Sequence, residues 1–190
     1  MIRHFELARH LGRELQGRLL GRRHFGQACE ILADTPSGDM ILLDFEGVDV
    51  MTGSWANEMV VPFYEWAADA RNDLFPILRN LTDRWDEELQ LLANWNQQCY
   101  LWAKGNEGHP SQATLIGSLD SPLRRTLEAV VRFTQVTGAE LERKFPKEGI
   151  GATAWNNRLK DLYTRRLLVR TKQGREQIYS TVVKGILING

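Results

Sequence analysis

The sequence predicts an α/β fold: a mostly parallel sheet flanked by helices, joined to a smaller α+β unit of three helices and a hairpin. Three observations point there. Up to residue 103, short apolar runs alternate with amphipathic stretches of helical length, the pattern of crossover units. A loop-like stretch follows, "KGNEGHPSQAT", where Gly, Asn, Pro and Ser gather without an apolar period. Beyond it the grammar changes, and so does the charge. Residues 1–120 carry 10 Lys and Arg against 18 Asp and Glu, whereas residues 121–190 carry 14 against 6, inside a chain whose net charge is +0. That asymmetry suggests two units with different partners, the basic one facing a polyanion and the acidic one facing protein. Mutual neutralisation across their interface is the alternative. The boundaries read as 1–104, a linker at 105–118, and 119–190.

The elements follow in order. A short strand is expected near Phe5–Ala8, a helix over Leu15–Leu32, and a strand over Met40–Phe45. A helix over Trp55–Ala70 comes next, because Trp55, Met59, Phe63, Trp66 and Ala70 recur at three- and four-residue steps. A strand Phe75–Leu78, a helix Asp83–Asn96 and a strand Cys99–Ala103 complete the first unit. In the second, Leu123, Leu127, Val130 and Val131 mark a helix that Ser121 and Pro122 cap and open. "TGAELERKF" reads as a short helix with a capping box between Thr137 and Glu140. A third helix, Ala152–Arg166, buries Trp155, Leu159 and Leu162 and leaves Thr153, Asn156, Asn157 and Lys160 on its opposite face. "LLVRTKQGREQIYSTVV" reads as a hairpin turning at Gln173-Gly174, with Lys172 and Arg175 beside the tip.

Composition excludes several function classes. With 43% apolar and 25% charged residues the chain is ordinary for a globular protein. Cys29 and Cys99 stand far apart, and His4, His10, His24 and His109 are scattered, so neither a disulfide frame nor a metal site is expected. The opening "MIRHFELARHLGREL" lacks the apolar core of a signal peptide, and no later run reaches the roughly 18 to 20 apolar residues that cross a bilayer. The expectation is a cytoplasmic protein without membrane contact.

Three helices followed by a basic hairpin is the winged helix-turn-helix order, in which the third helix enters the DNA major groove. Asn156 or Asn157 would pair bidentately with adenine, Thr153 would sit at the first turn, and Arg158, Lys160, Lys172 and Arg175 would neutralise phosphates or read guanine. The segment "ATAWNNRLKDLYTRRLLVRTKQGREQIYSTV" resembles the recognition-helix-plus-wing stretch of bacterial winged-helix regulators, over roughly residues 119–183. That resemblance implies double-stranded DNA as a partner. Such regulators often dimerise, although no zipper is visible here. Where that family often has Gly to end the helix, this chain has Arg166, so a different helix end is expected. "GIGAT", Gly149 to Thr153, reads as a turn between helices and not as a nucleotide loop, since no strand precedes it.

Catalysis is not expected. "LLDFEGV" approaches the Asp-x-Asp-Gly of aspartyl phosphotransferases, with Asp44 in the nucleophile place, but residues 31–103 contain no Lys to neutralise a phosphoryl group. Gly53-Ser54-Trp55-Ala56 lacks the flanks of a hydrolase elbow. "GRLLGRRHFGQACEIL" followed by "ILLDFEGVDVMTGSWANEM" resembles instead the bacterial STAS-like branch of the sulfate-transporter and anti-sigma-factor-antagonist superfamily, over residues 5–103. The resemblance implies a signal-receiving domain partnered by a kinase-type ATPase or another regulatory protein, and no cofactor is expected. It places Gly53 at the usual phosphoacceptor position, with Thr52 and Ser54 on either side as substitute phosphorylation or partner-binding residues. Both are also good N-cap residues, and capping alone explains them.

Overall fold

The computed structural model describes residues 1–104 and 108–188. In chain order it contains strand β1 (Ile2–Glu6), a one-turn helix α1 (Leu7–His10), β2 (Glu14–Leu15), α2 (Arg18–Leu32), β3 (Met40–Asp44), β4 (Val50–Met51) and α3 (Gly53–Ala68). Then come β5 (Phe75–Arg79), α4 (Asp83–Trp95), β6 (Tyr100–Ala103) and β7 (Gln112–Ile116). The remainder is α5 (Ser121–Phe133), β8 (Gln135–Val136), α6 (Gly138–Lys144), a 3-10 turn at Pro146–Glu148, α7 (Ala152–Thr164), β9 (Leu168–Gln173), β10 (Glu176–Thr181) and β11 (Gly185–Leu187). The architecture is mixed α/β, with a mostly parallel central sheet flanked by helices.

The main sheet has the order β1-β3-β5-β6-β7-β11. Its first four strands are parallel and neighbour one another in chain order, so each right-handed crossover moves the same way across the sheet. All three crossover helices therefore fall on one face. There Phe5, Ile41, Leu43, Leu78, Tyr100 and Trp102 pack under α2, α3 and α4 in one core. The strand runs MILL, FPIL and YLWA are nonetheless buried throughout. Strands buried on both faces need a second cover, and the C-terminal half supplies it. Met40, Leu42, Ile77, Leu101, Ala113 and Leu115 share a second core with Leu123, Leu127, Trp155, Leu159 and Leu162 of α5 and α7.

The segment expected as a linker therefore needs correction. Residues 105–107 lie outside the described residues, but Gln112–Ile116 form β7, antiparallel to β6. The segment assigned to the linker therefore contributes a strand to the main sheet, next to β6. The last strand, β11, returns from the C-terminal half and pairs in parallel with β7. The two halves thus share one sheet and one core.

Glycine explains the closest helix contact of the first half. A Cβ on Gly21 would lie 2.7 Å from the Trp55 carbonyl oxygen and 2.9 Å from the Glu58 Cβ. The Arg18-x-x-Gly21 spacing thus lets α2 lie directly on α3. The same contact buries His24, whose Nδ1 accepts a hydrogen bond from the Trp55 indole Nε1 at 3.1 Å. Burial, with Arg23 nearby, depresses the His24 pKa, so the ring is neutral in the fold. Because the unfolded chain takes up the proton first, this stability is fully present above the unfolded value of about 6.5 and is lost as pH falls through the depressed folded one. Urea midpoints measured between about pH 7 and pH 5 should fall more steeply for the native chain than for His24→Leu. Parallel slopes would mean that His24 does not titrate in this window.

Two further corrections concern ends of elements. α5 is capped by Asp120, whose Oδ1 accepts from the Leu123 N–H at 2.8 Å, and Ser121 and Pro122 follow inside the helix. The hairpin pairs Gln173 with Glu176, so its two central residues are Gly174 and Arg175, one position later than expected. Gly174 has φ +62°, as a two-residue hairpin loop with glycine first requires. The capping box at Thr137 and Glu140 is formed as expected.

Candidate nucleic-acid interface

α7 has two faces. Trp155, Leu159 and Leu162 are buried, which seats the helix on the shared core, while Thr153, Asn156, Asn157 and Lys160 are exposed. Next to that exposed face stands the β9–β10 hairpin, and the N-terminal end of α6 closes the third side. Between them lies a groove of about 450 Å³. Of the residues singled out above, Asn156, Asn157, Lys160 and Arg175 line it. Thr153 and Lys172 are exposed but lie outside the groove, and Arg158 turns back over the Trp155 ring, 5.2 Å from its centroid.

Arg170 and Gln177 also line this groove, and the sequence reading missed them. They belong to the face of the hairpin set by the pairs Arg170↔Tyr179 and Lys172↔Gln177. The period of two along "VRTK" would have revealed Arg170. Its guanidinium lies 4.3 Å from the Tyr163 ring centroid, which orients the side chain along α7. Gly138 makes the helix pair close: a Cβ there would sit 2.4 Å from Asn156 Oδ1 and 2.7 Å from the Ala152 carbonyl oxygen. Any larger residue at the start of α6 must displace Asn156.

The end of α7 corrects the expectation for Arg166. Arg166 adopts φ +61°, the left-handed conformation that favours glycine, and the helix ends as it would with glycine at this position. Leu167 N–H donates to the Leu162 carbonyl and Arg166 N–H to the Tyr163 carbonyl, both at 3.0 Å, which is the Schellman arrangement. The strain is offset by anchoring. The Arg166 side chain is buried, with Nη1 donating to Asp73 Oδ1 at 2.6 Å and Nη2 to the Ala68 carbonyl at 2.9 Å. Tyr163 OH donates to the same Asp73 oxygen, and Arg165 Nη1 donates to the Gln97 carbonyl at 2.8 Å. The candidate recognition helix is thus held to the α/β half at its C-terminal end.

In the first half, Asp44 and the expected phosphorylation residues Thr52 and Ser54 are occupied with local bonds. Thr52 caps α3: its Oγ1 accepts from Trp55 N–H at 3.4 Å and from Gly17 N–H at 3.2 Å. Ser54 is exposed, its Oγ 3.2 Å from Thr52 Oγ1. Asp44 Oδ1 accepts from Glu46 N–H at 3.0 Å and Asn80 Nδ2 at 2.7 Å, and Oδ2 lies 3.6 Å from Arg79 Nε. Burial pushes the Cys29 and Cys99 thiols up to about 11, so both are neutral near pH 7. Among the described residues no cluster of His, Cys, Asp and Glu could hold a metal ion, and no helix is long and apolar enough to cross a membrane.

Compared with known protein families, with curated proteins and with solved structures, the chain has no match.

Proposed function

We propose that the protein is a DNA-binding transcriptional regulator, its C-terminal half a winged helix-turn-helix and its N-terminal half a STAS-like domain that receives a protein or small-molecule signal. One observation carries this reading: the α7–hairpin groove gathers Lys160, Arg170 and Arg175 with three side-chain amides, Asn156, Asn157 and Gln177, against a single acid, Glu176. Amides on the exposed face of a helix suit bidentate pairing with adenine, and the three cations suit phosphates on either side. The buried opposite face of α7 keeps that display rigid.

Gel shifts on genomic fragments at several salt concentrations test the reading. Three phosphates neutralised by Lys160, Arg170 and Arg175 give log K a slope of about −3 against log salt, and Lys160→Ala should make it shallower by about 1. Asn156→Ala should cost about 1–3 kcal/mol on the preferred site and less on other sequences. Binding that is absent, or that does not respond to salt, overturns the DNA reading and leaves the alternative: an adaptor that partners a kinase-type ATPase and uses the winged half to dock protein.

A further inference from the structure

One cation of the α7–hairpin groove is set from the other half of the chain. Arg170 is exposed on β9, lines the groove, and ion-pairs with no carboxylate among the described residues. Its guanidinium rests 4.3 Å from the ring centroid of Tyr163, which stands at the C-terminal end of α7 and outside the groove lining. A guanidinium stacked on an aromatic face keeps the N–H groups along its edge free for an oxygen ligand. Arg170 is thus oriented, charged and without an anionic partner.

Tyr163 is itself held by the first half. Its hydroxyl donates to Asp73 Oδ1, in the turn between α3 and β5, and its ring lies 6.1 Å from that of Phe75 at the start of β5. The turn is tied down on both sides of the carboxylate. Asp73 N–H donates to the Asp69 carbonyl at 2.8 Å, and Gly38 N–H donates to the Asp73 carbonyl at 2.9 Å. Asp73 also adopts φ +47°, which a residue other than glycine keeps only where the bonds around it impose it. Three side chains, Asp73, Tyr163 and Arg170, therefore touch in series from the first half to the groove.

We propose that Tyr163 is a positioning residue for DNA binding: Asp73 fixes its hydroxyl, its ring fixes Arg170, and Arg170 meets a backbone phosphate of the duplex. The inference rests on the DNA-binding reading above and adds the route by which the first half sets that affinity. An unrestrained arginine loses rotamer freedom when it docks on a phosphate, which weakens the complex. Stacking on Tyr163 removes most of that loss beforehand. A change in the first half that moves Asp73 releases Tyr163 and Arg170 together, so affinity falls while the number of phosphates contacted stays the same. Arg166 holds Asp73 through its own bond, so the seam survives loss of the Tyr163 hydroxyl.

The test measures affinity and salt slope for the full chain on the duplex that the native protein prefers, with urea midpoints to verify that each variant is folded. Tyr163→Leu should weaken binding about two- to tenfold, the loss expected when one arginine is no longer ordered in advance, and should leave the slope unchanged. Tyr163→Phe keeps the ring and loses only the bond to Asp73, so it should fall between Leu and the native residue. In an Arg170→Ala background, where the slope is already shallower by about 1, neither change should have a further effect. In the DNA-free ¹⁵N-labelled chain, the Arg170 Nε–H resonance, identified by Arg170→Lys, should shift in Tyr163→Leu as the ring above it is lost. Native affinity in Tyr163→Leu, weakening that persists beside Arg170→Ala, or an unmoved Arg170 resonance overturns the proposal. Should Tyr163→Leu not fold, Tyr163→Phe with and without Arg170→Ala makes the same comparison, and native affinity in Tyr163→Phe overturns the part given to Asp73. A native chain that binds no duplex removes the DNA reading and this inference together, which tells that failure apart from the others.

Discussion

Replacing Arg166 with Ala should destabilise the folded protein by about 3 kcal/mol, read as a lowered urea midpoint. The figure follows from what the side chain touches. Its guanidinium is almost wholly buried, bonds Asp73 and the Ala68 carbonyl, and lies against the adjoining rings of Phe75 and Tyr163, at 5.1 and 4.8 Å from their centroids. Removing it leaves the Asp73 carboxylate, among the described residues, with the Tyr163 hydroxyl and opens a hole at the seam between the halves. Arg166→Gly separates this anchoring from backbone strain. Glycine relieves about 1 kcal/mol of left-handed cost, so it should be less harmful than Ala and still worse than Arg. Arg166→Lys keeps the charge but loses the planar fork that reaches two acceptors at once, and should fall near Ala. If Ala costs less than about 1 kcal/mol, the apolar interface alone holds the seam.

Local features were legible because they depend on neighbours in the chain. The capping box at Thr137 and Glu140, the apolar face of α3 from Trp55 to Phe63 and the Thr52 cap are each read within a few residues and are present, while Ala70, expected on that face, is exposed and lies past the end of the helix. The groove was half legible: helical spacing found Asn156, Asn157 and Lys160, but Arg170 depends on which face of the hairpin turns towards α7. What was missed is non-local. β11 is three residues long and finds its partner some seventy residues earlier in the chain, so nothing in "GIL" announces it. β7 was missed altogether, hidden by the loop-like residues just ahead of it. Arg166 was read as a departure from a glycine pattern, since its compensating partner, Asp73, is invisible without the fold. One signal was available and unused. MILL, FPIL and YLWA are continuous apolar runs, which means strands covered on both faces, yet the first half supplies crossover helices for one face only.

That missing cover sets the largest expected effect. A chain ending at residue 118 retains β1 to β7 but loses α5, α7 and everything that overlies Met40, Leu42, Ile77, Leu101 and Leu115. At about 1.5–3 kcal/mol for each buried aliphatic side chain, exposing these five removes on the order of 10 kcal/mol. A domain of this size has a total stability of about 5–15 kcal/mol, so the fragment should show no cooperative thermal transition and should associate through its bare sheet. Circular dichroism melts and size-exclusion chromatography read both outcomes. Removing only residues 184–190 is the milder comparison: it takes away the short β11–β7 pairing and the burial of Ile186, and should lower stability by about 2–3 kcal/mol while leaving a monomer. A 1–118 fragment that melts cooperatively as a monomer would mean that the halves fold independently. A signal would then pass between them through contacts such as the Arg166–Asp73 and Arg165–Gln97 bonds, and not through one cooperative core.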